Sequence, residues 1–521
     1  MSIKRASEKS RKVSAILIAA AILLASTGIS SYFLIYTPYY EAERTRLLTF
    51  TTDLAPVDLD PAWAIDVDSY TIILNVFDRL VQYKEGSVEL EPSLATSWDT
   101  PDSKTYIFNL REGVYFHDST PFNATSVKFS LDRAIEMGAY IGAFIESVEV
   151  MDTYKVKITL YEDFAPFLQV MASPPASIVS QDAVEKLGDE LFNSNPVGTG
   201  PFKFDSWESD LVLTANREYF KGAPKYERLV FKSVLESSER ISLLLKGDYD
   251  AVLGSTGLQL DDIVTLEENP DIQVSKVSGL GVEFLGFNTQ KEPLSDIRVR
   301  EAISYAINYD KIINDVIAGV AKRNGSPVPP NIFGYKDLPL IQRDTSKAEH
   351  LLSDAGYPEG FEITLTYNID NLDRRRTAEV VKDSLDDIGI TVRLQGLDWE
   401  AAIDEYMSME YEMCLNIWLP DYLDADSYLT PQFHTSSLAP NGANIFGLSD
   451  SRIDELLDQA RSTSSQEARQ SAYQEAQQLI VDQIPAVFLY VPDIYGLVRF
   501  NVGNWIQSPT GYFYAQNLYR R

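Results

Sequence analysis

Hydrophobic and polar positions follow a regular pattern between residues 361 and 418. Three short runs there have the composition and spacing of strands. These runs are 361–367, 390–396 and 411–418. The segments between them, over about 372–388 and from Trp399 onward, have helical spacing. Strand–helix–strand–helix–strand with short links predicts a parallel sheet with right-handed crossovers.

The chain before this region is predicted to be helical in two places. Residues 295–319 have the pattern of one long amphipathic helix. Its apolar face would carry Val299, Ala302, Ile303, Ala306 and Ile307. Asp344 is placed to cap a second helix, which Gly356 would end.

Between residues 47 and 280, short β-rich runs alternate with helical segments and turns. Residues 182–192 have helix-like spacing. The stretch NPVGTGPFKF, residues 195–204, predicts a tight turn at Gly198 and Gly200 that leads into a strand. A phosphate-binding loop would need a Lys-Ser/Thr pair and a helix start after the glycines, so a structural turn is favoured.

The amino-terminal region predicts a membrane segment. Five basic residues lie in 4–12, and residues 13–36 carry no charge. A helix of that length, at about 1.5 Å per residue, exceeds the roughly 30 Å core of a bilayer. The basic residues favour a cytoplasmic amino end, so 13–36 would anchor the chain at the outer face of the cytoplasmic membrane. A cleaved secretion signal is the alternative, and in both cases the chain after about residue 45 works outside the cytoplasm.

The composition is that of a globular protein with two or three domains. The 521 residues are 45% hydrophobic and 23% charged, and the net charge is −31. An acidic surface repels nucleic acid and anionic lipid, so no nucleic-acid partner is expected.

Few residues in the chain point to catalysis. The single cysteine, Cys414, excludes an intramolecular disulfide framework and a cysteine-based zinc site. The three histidines are not arranged as HExxH, and no GxSxG, P-loop or GxGxxG turn is present. We therefore expect neither an enzyme nor a cofactor.

Candidate ligand-binding residues follow the three strands predicted between residues 361 and 418. Ligands of parallel α/β layers bind beyond the carboxyl ends of the strands. Asn368 follows the first strand, Trp399 follows the second, and Trp418 ends the third, with Asp421 and Tyr422 shortly after it. Indole faces and a carboxylate at one edge predict a wall that packs against a ligand and pairs with its cationic group.

Other interpretations of these residues stay open. A tryptophan at the end of a strand is often a core residue, as Trp418 would then be. Asp421 could accept hydrogen bonds from backbone amides of its own turn. Asp424 and Asp426 could bind calcium, although the glycine and spacing of the twelve-residue calcium loop are missing.

Longer motifs occur in a consistent order over most of the chain after residue 50. They are 59–83, 90–134, 195–207, 219–234, 283–313, 348–358 and 378–433. In these stretches the chain resembles the extracytoplasmic solute-binding proteins of ABC importers, in the oligopeptide, dipeptide and nickel class (solute-binding family 5).

The resemblance implies an α/β fold with two lobes, the periplasmic-binding-protein-like clamp of type II, cluster C, with an inserted α+β subdomain. Residues 1–44 would be a cytoplasmic stub with the membrane anchor or signal. The first lobe would comprise 45–80, 196–276 and 488–521, the insert 81–195, and the second lobe 277–487. Such clamps close on a ligand and deliver it to the permease and ATPase subunits of the importer.

The resemblance also implies roles for individual residues. In peptide-binding members, the aspartate of a W-x-x-D-Y pattern holds the ligand's ammonium group, and this pattern is 418–422 here. Trp399 and Trp418 match tryptophans that line side-chain pockets. Some members hold the ligand's carboxylate with two arginines, and those positions are Tyr406 and Leu415 in this chain.

Four functions are therefore compared. A peptide-binding component of an importer is the leading hypothesis. Binding of oligosaccharides or of a metal chelate by the same fold is the alternative, and a membrane-anchored hydrolase is a distant one. A receptor that binds ligand without transport has the same sequence features.

Overall fold

The computed structural model describes residues 46–52, 55–254, 258 and 260–521. The predicted membrane segment, 13–36, lies outside these residues. Within the described part of the chain, no helix is both long and apolar enough to cross a membrane.

The first lobe begins with a buried strand and a capped helix. The elements of residues 46–92 are β1 (Leu47–Thr52), α1 (Val67–Val76), β2 (Val81–Tyr83) and β3 (Leu90–Pro92). The Asp66 side chain accepts the Ser69 amide and so starts α1. Helix α1 buries Ile73 and Val76 in the core of this lobe.

Residues 95–193 form a separate layer with its own core. Its elements are β4 (Ala95–Asp102), β5 (Thr105–Leu110), α2 (Ala124–Glu136), β6 (Ile145–Asp152), β7 (Lys155–Leu160), α3 (Phe167–Met171), α4 (Gln181–Leu187) and α5 (Asp189–Asn193). The four strands form an antiparallel sheet in the order β4-β5-β7-β6. Alternate residues of β5 and β7 are buried, as expected for a sheet with one solvated face. We call this layer the insert.

The predicted helical stretch 182–192 is two short helices. Gly188 lies between them with φ +73°, a backbone conformation that residues other than glycine rarely adopt. Helix α4 therefore ends at this glycine, and α5 starts in a new direction.

The predicted turn at 198–200 is structural. A Cβ atom at Gly198 would lie 2.2 Å from the Val76 carbonyl oxygen, so only glycine fits there. The neutral His117 ring donates from Nε2 to the Gly200 carbonyl (3.0 Å) and accepts the Gly198 amide at Nδ1 (3.4 Å). Burial lowers the pKa of His117 to about 4, which keeps this arrangement at neutral pH.

The chain then returns to the first lobe. The elements of residues 202–278 are β8 (Phe202–Trp207), β9 (Leu211–Ala215), β10 (Arg228–Ser233), α6 (Ser237–Lys246), β11 (Ala251–Val252), α7 (Leu260–Glu267) and β12 (Ile272–Ser278). Strand β1 pairs in parallel with β10 and β11, while β8 and β9 extend the sheet as antiparallel strands.

The second lobe contains the regular α/β region. Its elements are β13 (Val282–Phe287), α8 (Ile297–Ala306), α9 (Tyr309–Lys311), β14 (Ala321–Arg323), α10 (Thr345–Asp354), β15 (Glu362–Asn368), α11 (Leu372–Asp386), β16 (Thr391–Leu397), α12 (Trp399–Met407), β17 (Met413–Trp418), α13 (Asp426–Phe433), α14 (Ser451–Ser462) and α15 (Gln466–Gln483). Strand β15 pairs in parallel with β16 on one side and with β17 on the other. The parallel sheet predicted from the sequence is therefore confirmed.

The single long helix predicted over 295–319 is wrong. Helix α8 ends at Ala306, and Asn308 starts a new turn by accepting the Lys311 amide with its side chain. The Asn308 amide in turn donates to the Ser384 hydroxyl of α11 (3.1 Å). These contacts compete with the helical pattern and divide it. The cap predicted at Asp344 is confirmed, because its side chain accepts the Lys347 amide.

One long strand joins the two lobes. The last elements are β18 (Ala486–Arg499), β19 (Val502–Gly503) and β20 (Tyr519–Arg520). The first half of β18 pairs with β13 and β14 of the second lobe, and its second half pairs with β11 and β12 of the first. The chain crosses between lobes at Gly279–Gly281 and near Pro492, where the Gly279 amide donates to the Pro492 carbonyl (2.9 Å).

Candidate functional site

A cavity of about 480 Å³ lies where the two lobes and the insert meet. Its wall comes from 62–65 of the first lobe, 137–140 of the insert and 419–421 of the second lobe. Val67, Tyr70, Pro175 and Tyr512 complete it. This volume is in the range of sites for small ligands, about 300–1,000 Å³.

Asp421 reaches this cavity from the end of strand β17. The strand ends at Trp418, and two further residues carry the chain to Asp421. The Asp421 amide donates to the Ser427 hydroxyl (2.9 Å), and its carbonyl accepts the Tyr140 hydroxyl (2.8 Å). Both backbone groups are therefore held, and the side chain faces the cavity.

The Asp421 carboxylate has no hydrogen bond and no ion pair with any residue that the structure describes. The side chain is solvent-accessible, but the walls of the cavity surround it. This partial burial raises the pKa of its carboxyl group above the usual value. Water reaches this carboxylate, but no cation among the described residues pairs with it, so a cationic ligand can do so.

The neighbouring aspartates differ from Asp421 because each has its own partner. Asp424 is fully buried and pairs with Arg469 at 2.6 Å. Asp426 is also fully buried and lies 3.4 Å from Arg461. Neither carboxylate is available to a calcium ion, so that interpretation is wrong. Across the described ranges, no group of three or more His, Cys, Asp or Glu residues is placed to hold a metal ion.

Tyrosines line the cavity around Asp421. Burial, followed by the negative charge of Asp421, raises the pKa values of Tyr70 and Tyr140. Burial is also the main reason that the pKa of Tyr512 is raised, and the charge of Asp421 adds to it. Tyr512 packs edge-on against Tyr70, with ring centroids 5.7 Å apart. Neutral hydroxyl groups therefore surround the carboxylate at physiological pH.

Two smaller cavities adjoin the main one. The first, about 20 Å³, contains Asp421, Tyr422, Tyr83 and Tyr514 in its wall. The second, about 110 Å³, lies against the crossing segment Gly279–Gly281 and shares Pro420 and Tyr512 with the main cavity. The walls of all three cavities contain no Lys, Arg or His, and Asp421 is their only Asp or Glu.

Trp418 lies beside the site but does not line any of these three cavities. Its indole N–H donates to the Ser427 carbonyl (2.7 Å), and its ring packs on the core of the second lobe. Ser427 thus holds both Trp418 and the Asp421 amide. In this structure Trp418 fixes the loop that presents Asp421.

Trp399 and Asn368 lie along the same sheet edge, away from the cavities. Trp399 is 46% exposed at the start of α12, and the Arg374 guanidinium lies 5.8 Å from the centre of its ring. The Asn368 side chain accepts the Asp370 amide (2.8 Å). The register pairs Asn368 with Leu397, so the ends of β15 and β16 are level as predicted.

Tyr422 joins the second lobe to the insert. Its hydroxyl donates to Asp426 (2.6 Å), while its ring is part of the insert's core. The rings of Phe144 and Phe164 lie edge-on to it, each 6.0 Å away between centroids. Tyr422 therefore connects the second lobe to the insert, and it also borders the smallest of the three cavities.

Tyr406 and Leu415, at the two positions where the family resemblance implies arginines in some members, are core residues. Both are at most 2% exposed. The Tyr406 hydroxyl lies 3.4 Å from the Leu415 and Thr366 carbonyls. A carboxylate of a ligand finds no cation at these positions.

Several residues of the cavity were missed from the sequence. Trp63, Tyr70 and Met137 come from distant segments and carry no local pattern that marks a site. The run GYFYA at 511–515 is more informative, because Phe513 is buried between Phe50 and Trp505 while Tyr512 faces the cavity. Alternation of this kind places successive side chains on opposite faces.

Comparison with known proteins shows similarity over nearly the whole chain. Residues 89–439 match the model for "Bacterial extracellular solute-binding proteins, family 5 Middle". A curated relative is heme-binding protein A of Haemophilus influenzae, 32% identical over 97% of this chain and 99% of the relative. Another is the dipeptide-binding protein of Escherichia coli, 28% identical over 91% of this chain and 95% of the relative.

Solved structures share the fold. HbpA2 from Haemophilus parasuis superposes with a TM-score of 0.83 at 28% identity, over 91% of this chain and 100% of that chain. The binding protein DppA from Helicobacter pylori, in complex with the peptide STSA, superposes with a TM-score of 0.79 at 32% identity, over 92% of this chain and 99% of that chain. The fold of this chain is therefore shared with HbpA2 and with a DppA that was solved with a bound peptide.

Proposed function

This chain belongs to the bacterial extracellular solute-binding proteins of family 5, and from that premise we propose that it captures peptides through their free amino terminus. Proteins of this family bind solutes for ABC importers and are not enzymes, which removes the hydrolase from consideration. The captured peptide would pass to a membrane permease driven by an ATPase subunit.

The observation that carries the proposal is the unpaired carboxylate of Asp421 in the cavity. A peptide ammonium offers three N–H donors, and a partly desolvated carboxylate accepts them in strong, charge-assisted hydrogen bonds. Asp424 and Asp426, only a few residues further on, are already paired with arginines. Among these three carboxylates, Asp421 alone is left for a ligand.

The proposal also includes the other predicted site residues, the lobe boundaries and the membrane segment. Trp399 and Asn368 would contact parts of a longer peptide that lie beyond the cavity, and Trp418 and Tyr422 would shape the loop that holds Asp421. Lobe boundaries near 277 and 488 are part of the proposal, and the crossing at Gly279–Gly281 and the shared strand β18 support them. Residues 13–36 would hold the protein at the outer face of the cytoplasmic membrane or direct its secretion.

Heme is the second candidate ligand, because one relative is named a heme-binding protein. Heme carries two propionate carboxylates. The three cavities offer these groups no cation and place them beside the negative charge of Asp421. A peptide ammonium fits this charge distribution better.

The proposal is tested by titrating a peptide such as Leu-Ala-Ala into Asp421→Asn. We expect the variant to bind about 10–100-fold more weakly than the wild type, because a hydrogen bond to a charged group contributes about 1.5–3 kcal/mol. Asp99→Asn is the matched control, since Asp99 is exposed on strand β4 of the insert. Equal affinity of the two variants would refute the role of Asp421, and absence of any peptide binding to wild type would refute the function.

A further inference from the structure

We infer that the cavity selects peptides whose first side chain is uncharged and apolar, and that it rejects peptides with an acidic first residue. This inference rests on the proposed function. It follows from the side chains that surround Asp421 and from the charges that are missing there.

Large apolar side chains line the cavity together with Asp421. Trp63 and Val67 of the first lobe and Met137 of the insert line the same cavity as Asp421. If a ligand's ammonium lies on Asp421, the side chain of its first residue must occupy the space between these groups. Burial of an apolar side chain there is favourable in proportion to the area removed from water.

The mouth of the cavity is apolar as well. Ile65 is 88% exposed and Leu419 is 55% exposed, yet both line the cavity, one from each lobe. Exposed aliphatic side chains at a rim are explained when a ligand covers them. The part of the peptide that leaves the cavity would therefore also pass between uncharged side chains.

Apart from Asp421, the polar side chains that line the cavity are neutral. The Tyr70 and Tyr512 hydroxyls line the cavity and make no hydrogen bond to other described residues. They can donate to the carbonyl groups of a peptide. They cannot neutralise a carboxylate, whose burial without a cationic partner is costly.

The charges near the cavity disfavour anions further. Asp66 adds a second negative charge near Tyr70, although it is engaged in capping helix α1 through Ser69. The charge of Arg79 acts on the nearby Tyr83 and Tyr514, but Arg79 is only 1% exposed and lines none of the three cavities. A glutamate at the first position of a peptide would thus meet negative charge and no accessible cation.

The inference is tested by isothermal titration of wild-type protein with X-Ala-Ala peptides in which X is Leu, Phe, Lys or Glu. We expect the Leu and Phe peptides to bind at least about tenfold more tightly than the Glu peptide. The Lys peptide should also bind more weakly than the Leu peptide. Equal affinities for Leu, Lys and Glu would overturn the inference while the proposed function stands. Failure of all four peptides to bind would instead refute the proposed function.

A variant that adds a charge at the rim of the cavity tests the same point from the side of the protein. Ile65→Lys places a cation at the exposed mouth, and we expect it to improve the affinity of the Glu peptide relative to the Leu peptide by about two- to fivefold, as for a solvent-screened pair. Val57→Lys is the control, because Val57 is 70% exposed and does not line the cavity. An unchanged Glu-to-Leu ratio in Ile65→Lys, or the same change in Val57→Lys, would contradict the inference.

Discussion

At the scale of the residue, the site is defined by the difference between Asp421 and its neighbours. Asp424 and Asp426 are fully buried and paired with arginines, so their charges contribute to folding. Asp421 has no such partner among the described residues, and burial raises the pKa of its carboxyl group. The protein thus keeps one ionised group in an environment that favours the neutral form.

The raised pKa predicts that Asp421 lowers the stability of the empty protein at neutral pH. The pKa of an aspartate in the unfolded chain is about 3.9, so the folded protein binds this proton more tightly than the unfolded chain does. The contribution of Asp421 therefore favours folding at low pH and opposes it once the pH exceeds the folded-state pKa.

We accordingly expect Asp421→Asn to raise the midpoint of thermal unfolding of the ligand-free protein at pH 7, although it weakens peptide binding. The increase should disappear as the pH falls below about 3.9, the usual aspartate pKa, where the carboxyl group is protonated in both the folded and the unfolded wild-type chain. Thermal denaturation followed by circular dichroism measures both values, with Asp99→Asn as the control. A lower midpoint for Asp421→Asn at pH 7 would show that the carboxylate has a stabilising partner.

At the scale of the element, the loop after strand β17 is organised by contacts that its own sequence does not reveal. The three parallel strands could be predicted to within two residues, because their apolar pattern is local. The partners of Asp424 and Asp426 could not, because Arg461 and Arg469 belong to the two later helices α14 and α15. For the same reason, the break after α8 depends on Ser384 of another helix.

The second lobe contacts the rest of the clamp through this loop and through helix α14. Tyr422 packs in the insert's core, and the Leu423 amide donates to the Tyr83 hydroxyl at the end of β2 (3.1 Å). On α14, the Arg461 carbonyl accepts the Ala165 amide of the insert (2.7 Å). These contacts hold the two walls of the cavity together. A ligand that touches both walls binds most tightly to the arrangement in which these contacts are formed.

We expect Tyr422→Ala to weaken peptide binding about tenfold or more even though Asp421 is intact. Removing the ring deletes its packing on Phe144 and Phe164, so the arrangement in which both cavity walls are in contact becomes less populated. The apparent affinity falls in proportion to that population. Tyr161→Ala is the control, since Tyr161 is a 56% exposed residue of the same insert. Binding of Tyr422→Ala at wild-type affinity, measured by calorimetry, would show that this contact does not support the cavity.

At the scale of the whole molecule, the family and the two-lobed α/β fold could be predicted from the sequence, while most of the cavity could not. The motifs run along most of the chain, but the cavity is built from short segments of both lobes and the insert. Asp421 was identified because it follows a strand in a known pattern. Trp399 and Asn368 were predicted for the same reason, because each follows the end of a parallel strand. They lie at the same sheet edge as Asp421 but do not line the cavity, since the edge extends beyond it.

The net charge of −31 says little about the ligand, because the three cavities together contain a single carboxylate. We propose that this one group receives the ammonium of a peptide. The contact involves only one end of the ligand, so it can be tested by altering the peptide and leaving the protein unchanged.

The most direct measurement is the affinity of wild-type protein for Leu-Ala-Ala and for its N-acetylated form under identical conditions. Acetylation removes the positive charge and two of the three donors, and leaves the Asp421 carboxylate facing an uncharged amide. We predict that the acetylated peptide binds at least about tenfold more weakly. Equal affinities for the two peptides would contradict the account.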